Sequence, residues 1–148
     1  MTDPLLALQT VARGLGPLLQ EVTFVGGAVT PLLVTDIGSE GIRPTDDVDL
    51  IVDAPTRSGY DRLGAVLRAR SFRHDTSDGA PICRHVYEGV AVDVMPVDPD
   101  ILGFSNRWYR YALESAEWAD LGDGIAIRVI PFRLYDVRIE PVAAVHHP

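Results

Sequence analysis

Hydrophobic residues recur at helical spacing along the opening segment of the chain. They form one predicted helix face, made of Leu5, Leu8, Val11, Leu15 and Leu18. Asp3 stands where an N-cap residue belongs, and Pro4 follows in the first turn, where its missing N–H costs little. The helix is predicted to be interrupted at Gly14, Gly16 and Pro17.

Further along, short β-branched and aliphatic runs alternate with helical patterns. We expect strands at Glu21–Val25, Val48–Val52, Ile82–Tyr87 and Val90–Met95, and a last hairpin arm at Ile125–Ile130. The predicted tight turns are Glu88-Gly89 and Asp123-Gly124. Further helices are expected at about Ala28–Thr35, from a capping box at Ser58 and Asp61 to about Arg70, and at Asn106–Glu114. This order predicts an α/β (α+β) fold with a mixed β-sheet flanked by helices.

The length of 148 residues favours a single domain over residues 1–148. A hydrophobic fraction of 47% argues against disorder, and no apolar run is long enough to cross a membrane. The N-terminal segment lacks the basic region of a signal peptide, and the single cysteine, Cys83, is expected to be a core thiol. These features predict a cytoplasmic protein. The net charge of -8 weakens a general nucleic-acid-binding function, which favours a basic surface.

Two acidic residues, Asp47 and Asp49, stand at the start of a strongly β-prone run. Side chains two residues apart in a strand point to the same face, so these carboxylates should project together. Their repulsion would cost stability without a cation, and Mg²⁺ prefers hard oxygen ligands of this kind. The alternative is a solvated acidic edge.

Two further features accompany this pair. A predicted strand ends in Gly26-Gly27 just before a predicted helix, which lets backbone N–H groups approach phosphate oxygens. The alternative is an ordinary strand-to-helix turn. Asp93 interrupts the apolar run Val90–Met95, and a charge in a buried strand requires a metal or an ion pair. The alternative for Asp93 is therefore a salt bridge with one of the arginines.

Together these elements resemble the polymerase-β-type nucleotidyltransferase superfamily. Its motif is a strand, Gly-Gly or Gly-Ser, a helix, Asp-x-Asp on the next strand and a third Asp on a later strand. The segment R-P-T-D-D-V-D-L, Arg43–Leu50, looks most like bacterial AbiEii-like and related minimal nucleotidyltransferases. Many of these belong to toxin–antitoxin or abortive-infection systems. The resemblance covers roughly residues 22–130.

The resemblance implies a nucleotidyltransferase that moves an NMP from an NTP with two Mg²⁺ ions. It assigns Asp47, Asp49 and Asp93 as metal ligands and catalytic residues, and Asp93 also as a general base. It assigns Gly26, Gly27 and Arg43 to nucleotide binding. The expected acceptor is a tRNA 3′ end, a protein hydroxyl or a small molecule, and the expected protein partner is a cognate toxin or antitoxin.

The chain departs from the family pattern after Ile130. Family members continue with a segment whose lysine helps to bind nucleotide. This chain has no lysine, because all 13 of its Lys and Arg residues are arginines. We therefore expect the C-terminal part, residues 131–148, to be truncated or altered. The alternative function is a catalytically weak or inactive relative that acts through protein contacts. Aromatic residues of the kind that interfaces favour are Trp108, Tyr109, Tyr111 and Trp118, although core packing is the preferred interpretation for Trp108, Tyr111 and Trp118.

Overall fold

The structure is a computed structural model, and it describes residues 3–26, 29, 47–54, 56–98, 101, 110 and 113–130. The helices that the structure describes from end to end are α1 (Pro4–Leu15), a 3₁₀ helix (Gly16–Glu21) and α2 (Arg57–Ala69). The strands are β1 (Val22–Val25), β2 (Asp47–Val52), β3 (Arg73–His74), β4 (Arg84–Tyr87), β5 (Val90–Pro96), β6 (Glu117–Gly122) and β7 (Ile125–Val129). Almost all of the helix predicted at Ala28–Thr35, most of that at Asn106–Glu114, and residues 131–148 lie outside the described residues.

Helix α1 begins and ends where its capping residues predict. The Asp3 side chain accepts a hydrogen bond of 3.0 Å from the Leu5 N–H, and Gly16 follows the helix at a φ of 53°. The predicted apolar face needs one correction, because Leu5 is 39% exposed. The buried face is centred on Leu8 and Ala12, and Leu5 lies at its edge.

The described strands form one seven-stranded mixed sheet in the order β3-β4-β5-β2-β1-β7-β6. β2 pairs in parallel with β5, and β1 pairs in parallel with β7. The remaining neighbours are antiparallel, including the two hairpins predicted from their turns. The mixed α/β architecture is therefore confirmed, while the short strand β3 was not predicted.

The two faces of the sheet differ in what packs on them. Because side chains alternate along a strand, Leu50 and Val92 lie on one face, where they join the main core with Leu8 of α1 and Leu67 of α2. Helices α1 and α2 thus pack on the same face. The opposite face has a smaller apolar cluster, made of Val25, Ile51, Val97 and Ile130.

Helix α2 starts at a different cap from the one predicted. Thr56 is the N-cap residue, and its Oγ1 accepts a 3.0 Å hydrogen bond from the Gly59 N–H. The predicted capping box at Ser58 and Asp61 is wrong, since Ser58 lies inside the helix and Asp61 instead pairs with Arg57 at 3.1 Å. Thr56 has the extended backbone that a cap requires.

Two single-residue predictions have opposite outcomes. Cys83 is a buried free thiol, as expected. Trp118 is 53% exposed, so the core interpretation is wrong for this residue. It lies on β6 at the edge of the sheet, where the Arg128 guanidinium covers its ring at 5.5 Å. No helix in the described ranges is both long and apolar enough to span a lipid bilayer.

Candidate functional site

The register of two parallel strands brings the three predicted aspartates together. Asp49 on β2 is directly paired with Asp93 on β5, and Asp47 lies two residues earlier on the same face of β2. This is the face opposite the two α-helices, because the neighbouring residues Leu50 and Val92 pack into the helix-covered core. Residues that are far apart in sequence therefore form one acidic cluster.

Gly26 lies against this cluster. β1 runs antiparallel to β2 with Val25 opposite Asp49, so the chain leaves β1 directly beside the Asp49 carboxylate. Gly26 has a φ of 85°, and a Cβ at this position would overlap Oδ2 of Asp49. Glycine is required here for both backbone conformation and space. Gly27 and Arg43, the other predicted nucleotide-binding residues, lie outside the described residues.

Arg84 on β4 joins the cluster and was not predicted. Its Nε donates a hydrogen bond of 2.8 Å to Asp93 Oδ1, and its Nη2 donates one of 3.0 Å to Asp93 Oδ2. The same Nη2 donates a 2.9 Å bond to Asp47 Oδ2. The ion pair considered as the alternative for Asp93 is thus present, and it also bridges two of the three predicted site carboxylates.

The Arg84 interaction could have been found from the sequence. The turn Glu88-Gly89 has both residues at positive φ, 50° and 81°, and it directly connects β4 to β5. Such a two-residue turn fixes the register of the hairpin. Arg84 precedes the turn by as many residues as Asp93 follows it, and the two are cross-strand partners.

The electrostatics of the cluster favour additional positive charge. Three carboxylates and one guanidinium carry a net charge of -2 when all are ionised. Burial, together with the nearby charges of Asp93 and Asp47, raises the pKa of Asp49 from 3.8 to about 7. The hydrogen bonds to Asp93 raise the pKa of Arg84 further above its ordinary value, which keeps it charged. Arg84 thus neutralises only part of the acidic cluster.

The three aspartates are chemically suited to bind a hard divalent cation, because all of them offer carboxylate oxygens on one face of the sheet. Two of the three carboxylates, those of Asp47 and Asp93, are however directed at Arg84. Within the described residues, no group of three or more histidine, cysteine, aspartate or glutamate side chains is arranged to hold a metal ion. The physical reason is that Asp93 uses both of its oxygens on the guanidinium, which lies between Asp93 and Asp47.

Cys83, beside this cluster, is unsuited to nucleophilic chemistry. Burial and the charge of Asp93 raise the pKa of its thiol to about 11, so the reactive thiolate is disfavoured. Its backbone carbonyl accepts a 3.0 Å hydrogen bond from the Val94 N–H, which extends the contact between β5 and the segment before β4. Cys83 is therefore a packing residue, in agreement with its predicted role.

A separate cavity of about 320 Å³ lies under α2, on the other face of the sheet. It is lined by Tyr60 and Arg68 of α2 and by His74 and His85 of the sheet. His85 is 5% exposed, and neither of its ring nitrogens has a hydrogen-bond partner of normal geometry among the described residues. Burial, and secondarily His74, lowers the pKa of His85, although the nearby Cys83 carbonyl opposes that shift. His85 is therefore held neutral.

Fold and site together define a mixed α/β protein with a carboxylate–guanidinium cluster at the junction of β1, β2, β4 and β5. No protein-family model matches the chain, and neither does any curated protein sequence.

Proposed function

We propose that this protein is a Mg²⁺-dependent nucleotidyltransferase that transfers an NMP from an NTP to a hydroxyl acceptor. The observation that carries the proposal is the pairing of Asp49 with Asp93 across parallel strands, with Asp47 on the same face and Gly26 against Asp49. This placement meets the geometric requirement of the sequence motif, because Asp93 on the other face would have left the Asp-x-Asp pair without its third carboxylate.

In the proposed reaction, the acceptor hydroxyl oxygen attacks the α-phosphorus of the NTP. A bond from that oxygen to phosphorus forms, the bond to the bridging oxygen breaks, and pyrophosphate leaves. Asp47, Asp49 and Asp93 would hold two Mg²⁺ ions. Such ions lower the pKa of the acceptor hydroxyl and neutralise charge on the leaving group.

The chain's own residues place limits on the proton transfer. Both Asp93 oxygens accept hydrogen bonds from Arg84, so Asp93 would accept the acceptor proton only after Arg84 releases it. Gly26 contributes by leaving the space beside Asp49 free of a side chain. Gly27 and Arg43 remain proposed phosphate contacts, with Arg43 at the β- or γ-phosphate.

The proposed acceptors are a tRNA 3′ end, a protein hydroxyl and a small-molecule hydroxyl. The net charge of -8 favours a small or locally bound acceptor over an extended RNA, since long RNA contacts require many basic side chains. A cognate toxin or antitoxin chain remains part of the proposal as a protein partner or acceptor.

The direct test incubates the protein with Mg²⁺, each α-labelled NTP, and either tRNA, protein or no added acceptor. Label should appear on one acceptor with the wild type and be lost with Asp49→Asn. The matched control is Asp53→Asn, which alters an exposed aspartate just beyond the end of the same strand and should retain activity. Full transfer by Asp49→Asn would contradict the proposal.

The second candidate function is a catalytically inactive relative that acts through protein contacts. The observation that favours it is Trp118, a large aromatic side chain 53% exposed on the edge strand β6. The two candidates differ in nucleotide binding. Calorimetric titration of a non-hydrolysable NTP analogue in Mg²⁺ should give Asp49-dependent binding for the enzyme and none for the inactive relative.

A further inference from the structure

Arg84 is held in place by an unusually complete set of charged hydrogen bonds. Asp93 receives two parallel bonds, one on each oxygen, and Asp47 receives a third. The Arg84 side chain is 22% exposed and that of Asp93 is 13% exposed, so this pairing is largely shielded from water. Bidentate pairs in such surroundings are among the stronger polar interactions in proteins.

These bonds use the same oxygens that a divalent cation would need. A cation between Asp47 and Asp93 would compete with the guanidinium for their lone pairs, and it would also repel the guanidinium charge. Metal binding and the Arg84 pairing therefore oppose each other. In this structure the carboxylates of Asp47 and Asp93 are paired with Arg84.

Arg84 also has capacity for an anionic partner. Its Nη1 makes no hydrogen bond with any residue that the structure describes, while Nε and Nη2 are fully used. A guanidinium binds phosphate with the same forked geometry that it uses for carboxylate. A phosphate group arriving with a nucleotide would thus offer Arg84 a replacement for the carboxylates that a metal takes.

We propose that Arg84 is an internal counter-cation that keeps the acidic cluster weakly metal-binding until a nucleotide arrives. This inference rests on the proposed function and adds a form of regulation to the same site. Metal and nucleotide then bind cooperatively, because each makes it easier for Arg84 to leave the carboxylates. By linkage, the factor by which nucleotide strengthens metal binding equals the factor by which metal strengthens nucleotide binding.

The test measures Mg²⁺ affinity by calorimetry at pH 8, with and without a non-hydrolysable NTP analogue. Without the analogue, Arg84→Gln should bind Mg²⁺ at least about tenfold more tightly than the wild type, because the competing charge is gone. Adding the analogue should strengthen Mg²⁺ binding by the wild type at least about tenfold and by Arg84→Gln much less. Arg57→Gln is the matched control, since Arg57 is an exposed arginine paired with Asp61 on α2, and it should behave as the wild type.

Removal of Arg84 leaves Asp93 without its partner, so Arg84→Gln has to be checked for folding by circular dichroism. A measurement on the wild-type protein avoids this problem. With ¹⁵N-labelled arginine, the Arg84 Nε–H resonance should shift when Mg²⁺ and the analogue bind together, and it should be insensitive to Mg²⁺ at low concentration alone.

The outcomes separate this inference from the proposed function. If Arg84→Gln is folded and binds Mg²⁺ no more tightly than the wild type, or if the Arg84 resonance does not respond when metal and analogue bind, the counter-cation role is overturned while the nucleotidyltransferase proposal stands. If neither protein binds Mg²⁺ even with the analogue present, both are overturned.

Discussion

At the scale of single residues, Gly26 is where the backbone and the candidate site constrain each other most. Its φ of 85° disfavours any L side chain, and a Cβ would overlap the Asp49 carboxylate. We predict that Gly26→Ala destabilises the protein by about 1 to 3 kcal/mol more than backbone strain alone, because Asp49 has to shift. Urea unfolding measures the difference.

The control for this prediction is Gly79→Ala. Gly79 has a similar φ of 82° but has nothing within 4 Å of an added Cβ. It should show only the cost of a positive φ, about 1 to 2 kcal/mol. Equal losses of stability in the two variants would mean that the contact between Gly26 and Asp49 has no energetic effect.

The raised pKa of Asp49 predicts that the stability of the metal-free protein depends on pH. Its folded pKa of about 7 lies above the unfolded value of 3.8, so its contribution to stability is present at low pH and is lost as the pH rises through 7. Asp49→Asn should therefore be more stable than the wild type at pH 8 in EDTA, by up to about 4 kcal/mol.

Urea unfolding at pH 4 and pH 8 tests this prediction, with Asp53→Asn as the exposed control. At pH 4 the advantage of Asp49→Asn should largely disappear, because Asp49 is then protonated in the folded state. An advantage that is the same at both pH values would show that ionisation of Asp49 is not its cause.

The sequence predicts correctly which side chains share a face of the sheet wherever alternation along one strand is enough to decide it. Alternation predicts that Asp47 and Asp49 share a face, and the structure adds Asp93 through the β2–β5 register. That register joins segments far apart in the chain, so no local pattern specifies it. The missed Arg84 is a different case, because the Glu88-Gly89 turn had already fixed its pairing with Asp93.

At the scale of elements, the start of α2 gives a test of which residue caps the helix. Thr56 Oγ1 accepts the Gly59 N–H at 3.0 Å, whereas Ser58 Oγ lies 3.3 Å from Thr56 Oγ1 inside the first turn. We predict that Thr56→Ala lowers the free energy of unfolding by about 1 kcal/mol. Ser58→Ala should cost less than about half as much, since it removes no cap, and guanidinium unfolding of both variants measures this.

If Ser58→Ala proved the more destabilising of the two, the capping box predicted from the sequence would be the better description. The error arose because Thr56 and Ser58 are both good capping residues two positions apart, and composition does not decide between them. The backbone decides, since Thr56 is extended. Helix boundaries are for this reason harder to predict than helices themselves.

The strands were predictable to the extent that they were long or joined by a tight turn. β5 and β7 follow turns of acidic residue and glycine, and their apolar alternation is unambiguous. The strand β3 spans only Arg73–His74 and has no buried side chain, so it leaves no hydrophobic pattern to detect. It exists because the edge of β4 offers backbone hydrogen-bonding groups.

At the scale of the whole molecule, the sheet separates two ionisable groups that respond to pH in opposite directions, the half-buried Asp49 and the buried His85. Asp49 lies on the face opposite the α-helices, and His85 lies beneath α2 on the other face. Strand alternation decides which face each side chain occupies, and in both cases partial or full burial shifts the pKa toward the neutral form. Neither effect is visible in the net charge or in the sequence pattern.

His85 changes the stability of the protein with pH in the opposite direction from Asp49. Its folded pKa lies below the unfolded value of about 6.5, so the folded state resists protonation, and stability is lost as the pH falls below that value. In the metal-free wild type this loss partly offsets the gain from Asp49 in the same pH range. The wild type should therefore show a shallower dependence on pH than either single variant.

His85→Phe keeps an aromatic ring but has no group to protonate. Its stability should therefore show the effect of Asp49 alone, falling as the pH rises from 4 to about 7 and levelling off above that. It should also be more stable than the wild type at pH 5, where unfolding releases the buried histidine to bind a proton. Asp49→Asn should show the opposite slope over the same range. Thermal unfolding in EDTA at a series of pH values measures both, and parallel curves for the two variants would mean that these groups do not govern the acid stability of the protein.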